Sequence, residues 1–148
     1  MLHDIIEDVF ETLRFQAKDA IALVDDVPRT LKADADREQL IRILTNLTRN
    51  AIQAIEARPA TGDEIRIGAT REAGVLHITI KDSGPGIPPV IRNKMFEAFQ
   101  TAARSGGTGL GLAISAELLK AHGGSIRVAE TSEKGTVLAL ILPDRPVP

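Results

Sequence analysis

The chain has 148 residues, of which 43% are apolar, and its formal net charge is −2. This length suits one domain with a sizeable core, and the near-neutral charge argues against nucleic acid as a partner. The absence of cysteine excludes disulfides and cysteine-ligated zinc, and it predicts a cytoplasmic location. We find no signal-peptide pattern and no apolar run of membrane-spanning length, so we expect no membrane contact by this domain.

The first part of the chain predicts two helices separated by strand-like segments. They are a helix from Leu2 to about Lys18, a strand at Ala20–Val27, a short strand at Leu31–Asp34 and a long helix at Asp36–Ala57. Apolar residues recur at helical spacing in both helices. Asp36, followed three residues later by Gln39, predicts a capping box at the start of the long helix.

The second part predicts strands arranged in hairpins around two further helices. The predicted elements are strands at Glu64–Thr70 and Val75–Asp82, a short helix at Val90–Phe99, a helix from Gly109 to about His122 that Gly123-Gly124 would stop, and strands at Ser125–Glu130 and Thr136–Leu142. Strands that follow one another in pairs favour antiparallel pairing. The pattern indicates an α+β domain, with helices on one face of a mixed sheet.

The long helix carries an amide within its apolar seam. Asn50 lies three residues after Leu47 on that seam, and Asn46 lies one turn earlier, at its edge. An unsatisfied buried amide costs about 1–3 kcal/mol, so it needs a partner. A neutral oxygen that faces a pocket can bind Mg²⁺, whereas the alternative is that both asparagines bond neighbouring backbone.

Asp82 shares strand parity with Leu76, Ile78 and Ile80, so it is predicted to face the core. A carboxylate in that position must be paired or must accept hydrogen bonds. The glycines that follow it at positions 84 and 86 would let the backbone approach a flat ligand. Asp82 could then accept a hydrogen bond from an exocyclic amine such as that of adenine, or it could close an Asx-turn.

A glycine-rich segment at Ser105–Ser115 leads directly into a predicted helix. Backbone amides at such a helix start favour anions, and phosphate above all. The segment is neither a P-loop, since no Gly-Lys-Ser/Thr occurs, nor a dinucleotide fingerprint, since it does not follow a strand. The three histidines, His3, His77 and His122, share no metal-ligand spacing, and we interpret them as non-catalytic.

Five segments, taken in order, resemble the ATP-binding domain of sensor histidine kinases, within the gyrase, Hsp90, histidine kinase and MutL ATPase superfamily. They are Asn46–Ala51 for the N box, Asp82–Ile87 for the G1 box, Phe96–Phe99 for the F box, Gly107–Leu112 for the G2 box, and Gly135-Thr136 for the last glycine box. The resemblance covers about residues 34–143 and implies a two-layer α/β sandwich of the Bergerat type.

The resemblance also implies roles for individual residues. Asn50 would bind Mg²⁺ held by the ATP phosphates, Asp82 would recognise the adenine amine, and Gln100–Gly107 would form a lid over ATP. The implied nucleotide-binding residues are Asn50, Asp82, Gly84, Gly86, Ile87, Thr108, Gly109, Leu110, Gly111, Leu112 and Thr136.

Position 46 separates the branches of this superfamily. Gyrase-like and Hsp90-like members carry a glutamate one turn before the Mg²⁺-binding asparagine, whereas this chain carries Asn46. An amide cannot act as a general base near neutral pH. The resemblance therefore implies phosphoryl transfer to a partner rather than efficient hydrolysis, with Asn46 and Asn50 at the catalytic centre. Gln53-Ala54-Ile55 is similar to the nitrogen-regulator type of sensor kinase.

Two features of the resembled kinases are not matched. Gln53 stands where many of them have a lysine, and Arg49, Arg92, Lys94 and Arg104 are the candidates to contact the phosphates instead. The phosphoacceptor histidine lies on a helical dimerization hairpin, and His3-Asp4 matches it only superficially.

We therefore interpret residues 1–148 as a single ATP-binding domain with its core at about 20–143, without the dimerization domain. Its implied partners are the dimerization domain of the same or another chain and, downstream, a response regulator. The alternatives are an anti-sigma-factor serine kinase, and a nucleotide-gated interaction module with no transfer activity.

Overall fold

The computed structural model describes residues 1–17, 20–86 and 109–144. In chain order its elements are α1 (Leu2–Ala17), β1 (Ala22–Asp26), α2 (Arg37–Ala57), β2 (Glu64–Glu72), β3 (Val75–Asp82), α3 (Gly109–Ala121), β4 (Ser125–Ser132) and β5 (Gly135–Pro143). The predicted short helix at 90–99 and the implied lid at 100–107 lie outside the described residues. None of the described helices is long and apolar enough to cross a membrane.

The five strands form one mixed sheet in the order β1-β2-β3-β5-β4. β1 and β2 are parallel, and the other neighbouring strands are antiparallel. Burial alternates along β5, where Thr136, Leu138, Leu140 and Leu142 are buried. One face of the sheet therefore carries the core, and the prediction of an α+β fold with a mixed sheet covered on one face by helices is confirmed.

α2 lies in the middle of the helical layer, packed between α1 and α3 and against β2 and β3. Its fully buried residues follow the predicted seam and include Leu40, Leu44 and Leu47. The core is wider than the predicted span of about 20–143, because α1 buries Phe10 and its apolar neighbours in the same cluster. Sequence periodicity identified the apolar face of α1 but not the surface that this face covers.

The Asp36 cap, which is one half of the predicted capping box, and the glycine end of α3 are confirmed, and each has a local cause. Asp36 caps α2, with its Oδ1 accepting a hydrogen bond from the Gln39 N–H at 3.0 Å. α3 ends just before Gly123, whose φ of +75° suits glycine, and the Gly124 N–H donates to the Leu119 carbonyl at 2.7 Å. This six-to-one bond is the Schellman arrangement, which satisfies a carbonyl at the end of the helix.

The prediction of a short strand at Leu31–Asp34 is wrong. The Leu31 carbonyl accepts from the Leu2 N–H at 2.9 Å, and the Lys32 carbonyl accepts from the Arg71 guanidinium. The backbone of this segment is therefore bonded to the start of α1 and to a side chain instead of a neighbouring strand. Leu31 packs on the core from a loop, which explains why its apolar character suggested a strand.

Candidate functional site

Asp82 ends β3 on the core side of the sheet, between Ile65 on β2 and Thr136 on β5. Its Oδ1 accepts a hydrogen bond from the Gly84 N–H at 2.9 Å, so the Asx-turn alternative is correct for this oxygen. Burial raises the pKa of the Asp82 carboxyl, and the backbone amides of Gly84 and Thr136 oppose that rise in part. Within the described part of the chain no cationic side chain pairs with Asp82. Its charge thus remains available to a ligand that donates a hydrogen bond.

Two glycines let the β4–β5 turn pack closely against the end of β3 and the residues that follow it. A Cβ at Gly135 would lie 2.1 Å from the Asp82 carbonyl oxygen, and a Cβ at Gly86 would lie 2.0 Å from the Ser132 carbonyl oxygen. Both positions also have positive φ, +144° and +83°. Any side chain there would separate the β4–β5 turn from the end of β3, so these glycines set how tightly the site is built.

Thr136 faces the same side of the sheet as Asp82 and is 6% exposed. Its hydroxyl lies 2.9 Å from the Thr131 hydroxyl on β4, so the two form a hydrogen bond in which either can donate. A Cβ at Gly86 would come within 3.2 Å of Thr131 Oγ1. The structure thus brings together four of the predicted residues: Asp82, Gly84, Gly86 and Thr136.

α2 connects this group to Asn50. A Cβ at Gly84 would lie 3.7 Å from the Ala54 Cβ, and Ala54 is one turn after Asn50, a rise of about 6 Å along the helix. The Asn50 Nδ2 is buried and forms no hydrogen bond with any described residue. The alternative in which this amide is tied to neighbouring backbone is therefore wrong for its nitrogen. Asn46, half-buried like Asn50, lies one turn earlier on the same helix.

The side-chain oxygen of Asn50 is a suitable ligand for Mg²⁺. Mg²⁺ takes oxygen ligands and keeps several of its waters, so one neutral protein oxygen is a sufficient contribution. Because the Asn50 nitrogen is not held by a hydrogen bond to any described residue, the amide can turn its oxygen toward a ligand without breaking such a contact.

Four further predicted residues lie at the start of α3. Gly109, Leu110, Gly111 and Leu112 form its first turn, as predicted, and Ile87 and Thr108 lie outside the described residues. The first four amides of a helix have no partner within it and favour an anion. α3 packs against α2, the helix that carries Asn50.

Sequence reasoning missed two polar features of this region. The hydroxyls of Thr48 on α2 and Ser115 on α3 are buried without a hydrogen-bond partner in the described structure. Asp63, 5% exposed, forms a buried network with Ser83. A signal for Thr48 existed, because it lies four residues from both Leu44 and Ile52 on the buried face of α2.

A second polar cluster joins α1 to the edge strand β1. His3 Nδ1 bonds to Asp25, and Glu7 brings a third possible metal ligand near them. However, the Asp25 Oδ1 accepts from the Val27 N–H at 3.0 Å, and the Arg29 guanidinium lies 3.8 Å from Oδ2 and against the His3 ring. The cluster therefore already contains its own cation.

Comparison with known proteins identifies the family to which the chain belongs. A family model described as "Histidine kinase-, DNA gyrase B-, and HSP90-like ATPase" matches residues 35–146. The chain belongs to this ATPase family. The matched span contains every predicted nucleotide-binding residue of the chain, and the predicted resemblance is confirmed.

Within this ATPase family the chain is similar to sensor histidine kinases. It is 33% identical over 153 residues to the sensory histidine kinase/phosphatase NtrB of Salmonella typhimurium strain LT2, which covers 97% of this chain and 43% of NtrB. The crystal structure of full-length ShkA in complex with AMPPNP has a TM-score of 0.82 and 27% identity over 99% of this chain and 31% of ShkA. Histidine kinase ThkA, solved in complex with the response regulator protein TrrA, has a TM-score of 0.77 and 27% identity over 98% of this chain and 41% of that chain.

These matches confirm the histidine-kinase catalytic-domain fold. The curated sensor kinases of comparable similarity are longer than this chain, which spans 31%, 18% and 43% of three of them.

Proposed function

We propose that this domain binds Mg·ATP and transfers the γ-phosphate to a histidine on a separate dimerization domain. The observation that carries the proposal is Asp82, a core-facing carboxylate with no cationic partner among the described residues. The turn that follows Asp82 packs through Gly84 near Ala54, which lies one helical turn after Asn50. The presence of AMPPNP, an ATP analogue, in the similar kinase ShkA supports the nucleotide assignment.

The adenine half of the site uses the end of β3. The ionised Asp82 accepts a hydrogen bond from the exocyclic amine of adenine, and the glycine backbone at 84 and 86 lies beside the ring. Guanine has a carbonyl oxygen at the corresponding ring position, and two acceptors facing each other repel. The site should therefore prefer ATP to GTP, with Thr136 and its backbone beside Asp82 as a further contact.

The phosphate half of the site uses α2 and the start of α3. Mg²⁺, when bound, neutralises charge on the phosphate oxygens. Asn50 would hold it through its side-chain oxygen, and the amides of Gly109–Leu112 would contact the phosphates with Thr108. Asn46 cannot take a proton from water near neutral pH, which favours transfer to a protein acceptor over hydrolysis.

The acceptor and the downstream partner follow from the relatives. We propose a dimerization domain, on the same or another chain, as the source of the histidine, and a response regulator as the next partner, as the ThkA complex with TrrA supports. Similarity to NtrB favours the nitrogen-regulator type of kinase. We place the domain in the cytoplasm, where ATP is available.

Calorimetric titration tests the first half of the proposal. ATP and ADP should bind in the presence of Mg²⁺. GTP should bind at least about 10-fold more weakly than ATP, a difference of about 1.4 kcal/mol. Chelation of Mg²⁺ should lower the affinity for ATP more than the affinity for adenosine. A folded chain that binds no adenine nucleotide would contradict the proposal.

Transfer needs a second experiment. The chain is mixed with a separately purified dimerization hairpin of an NtrB-type kinase and with ATP labelled at the γ-phosphate. Acid-labile label on the hairpin, lost when its acceptor histidine is replaced by glutamine, supports transfer. ATP binding with no label on the hairpin or on any other acceptor tested would favour the interaction-module alternative.

A further inference from the structure

A buried carboxylate outside the motifs of the family lies behind the adenine side of the site. Asp63 ends the loop that leaves α2, immediately before β2, and it is 5% exposed. Its Oδ2 accepts from the Ala60 N–H at 2.7 Å, and its Oδ1 accepts from the Ser83 hydroxyl at 3.0 Å. Both oxygens of this carboxylate are therefore used, one toward its own loop and one toward the residue that follows Asp82.

Ser83 is held by three hydrogen bonds in addition to its place in the chain. Its hydroxyl oxygen accepts from the Glu64 N–H at 2.9 Å while the hydroxyl proton goes to Asp63. Its backbone N–H donates to the Glu64 carbonyl at 3.1 Å. We call the Asp63 side chain, the Glu64 backbone and Ser83, which these bonds connect, the Asp63 network.

The Asp63 network fixes the direction in which the chain leaves β3. Asp82 precedes Ser83, and the Asx-turn from Asp82 to Gly84 spans it. If Ser83 lost its side-chain bonds to Asp63 and Glu64, the turn that holds Asp82 Oδ1 through the Gly84 N–H would be less firmly fixed to β2, although Asp82 would keep its place in the sheet. The loop containing Asp63 also begins where α2 ends, so the network connects the Asp82 turn to the helix that carries Asn50.

Because Asp63 is buried, its hydrogen bonds favour a single arrangement of the network. A buried carboxylate without donors costs several kcal/mol, so Asp63 is stable in place only while Ser83 and Ala60 keep their donors aimed at it. The preferred state of the network is therefore one orientation of Ser83, and hence one orientation of Asp82.

We propose that Asp63 is a positioning residue for adenine recognition, acting through Ser83 to hold the Asp82 carboxylate at the angle that the adenine amine requires. The inference rests on the proposed function, because it concerns the same nucleotide site. Asp63 itself does not touch the nucleotide and acts only through its neighbours.

The test compares variants of the network with a core variant on β2. Ser83→Ala removes the hydroxyl, Asp63→Ala removes the carboxylate, and Ser83→Thr retains the hydroxyl as a rescue. Ile67→Val deletes one methylene from the fully buried Ile67 and does not touch the network. The readouts are the Kd for ATP and for GTP by calorimetry and the Tm of each free protein.

Ser83→Ala and Asp63→Ala should each weaken ATP binding about 10-fold. They should also reduce the preference for ATP over GTP, because a misoriented Asp82 carboxylate weakens the hydrogen bond that only adenine can form. Ser83→Thr should stay within about 2-fold of the wild type. Ile67→Val should lower the Tm without changing either Kd. The double variant Asp63→Ala/Ser83→Ala should bind ATP no worse than the weaker single variant, because both remove the same network.

Two results would overturn the inference. One is an unchanged ATP-to-GTP preference in Ser83→Ala and Asp63→Ala, with the Tm lowered as in Ile67→Val, which would make the network structural only. The other is an additive loss in the double variant. If instead the wild-type chain binds no ATP, the proposed function fails as a whole, and that outcome is separate because it appears before any variant is compared.

Discussion

Asp25 on β1 and Asp82 on β3 are carboxylates on the same side of the same sheet, and their surroundings differ. Asp25 pairs with Ile67 in the parallel ladder, and its side chain is 6% exposed. This side chain is hydrogen-bonded to His3 and to the Val27 N–H and forms an ion pair with Arg29. Asp82 has backbone amides as partners and no cationic side chain among the described residues. Strand parity places both, but only Asp82 retains a charge that an outside donor can use.

Orientation alone therefore does not identify a ligand-binding carboxylate. The deciding feature is whether the protein already supplies the compensating charge. At Asp25 the cation comes from a side chain four residues along the chain, whereas at Asp82 the surrounding positions are occupied by glycines and backbone.

The two carboxylates should respond differently to the same substitution. Asp82→Asn should weaken ATP binding by about 100-fold, because a hydrogen bond to a charged group contributes about 1.5–3 kcal/mol and the amide nitrogen would oppose the adenine amine. Asp25→Asn should leave the Kd for ATP within about 2-fold and lower the free energy of unfolding by about 1–2 kcal/mol, because Arg29 loses its counter-charge and the hydrogen bond to His3 is weakened. Calorimetry and urea unfolding measure the two effects.

Glu72→Gln, at an exposed position at the far end of β2, is the control for general loss of negative charge, and it should change neither quantity appreciably. If Asp25→Asn weakened ATP binding as much as Asp82→Asn did, the distinction between a neutralised and an available carboxylate would be wrong.

A substitution of Asn50 should likewise affect ATP binding without affecting the stability of the fold. Asn50→Ala should reduce the Mg²⁺-dependent part of ATP affinity by about 10-fold or more, while leaving the Tm nearly unchanged. The side-chain nitrogen that is lost forms no hydrogen bond with the described residues, and removing an unsatisfied donor is close to neutral. Titrations with and without a chelator measure the Mg²⁺-dependent part.

Asn46→Ala, one turn away on α2, is the matched control and should retain the Mg²⁺ dependence of binding. Equal binding by Asn50→Ala and the wild type in the presence of Mg²⁺ would remove Asn50 from the metal site.

Two glycines with nearly equal φ separate backbone strain from close packing at the site. Gly62 has φ +80°, and a Cβ added there would have no described atom within 4 Å, whereas Gly86 has φ +83° and would place a Cβ 2.0 Å from the Ser132 carbonyl oxygen. Gly62→Ala should cost about 1 kcal/mol from strain alone, and Gly86→Ala about 2–3 kcal/mol, with a several-fold loss of ATP affinity. Urea unfolding measures both costs, and equal stability losses in the two variants would show that the β4–β5 turn adjusts without cost.

Sequence patterns predicted the structure correctly where a feature depends on the strong local preference of one residue type. The Asp36 cap, the glycine end of α3 and the core parity of Asp82 are of this kind, since each depends on neighbours within a few residues. The segment at 31–34 failed because its partners are the start of α1 and Arg71, which no local pattern reveals.

The Asp63 network and the Asp25 cluster lay beyond sequence reasoning for the same reason. Asp63 and Ser83 are 20 residues apart, and His3 and Asp25 are 22 apart. A carboxylate in a loop before a strand normally indicates a solvated turn, and only the folded chain shows that Asp63 is buried with both oxygens used.

The smallest effect expected is the pH dependence of Asp82, and its sign is opposite for stability and for binding. Burial raises the pKa of this carboxyl in the folded chain above the value it has in the unfolded chain. Between these two pKa values the folded state binds more protons, so this group makes the protein more stable as the pH falls through the window. Asp82→Asn should abolish that gain, and its stability relative to the wild type should be greatest above the raised pKa.

ATP binding should change in the opposite direction, because the adenine amine needs an ionised acceptor. The Kd should therefore rise as the pH falls through the raised pKa of the Asp82 carboxyl. The γ-phosphate of ATP also takes up a proton as the pH falls, so adenosine is the second probe: it carries no phosphate, and its affinity should still fall with pH if Asp82 is the acceptor. Adenosine binding that stays constant down to the lowest pH at which the chain remains folded would mean that the Asp82 carboxylate is not what the base contacts.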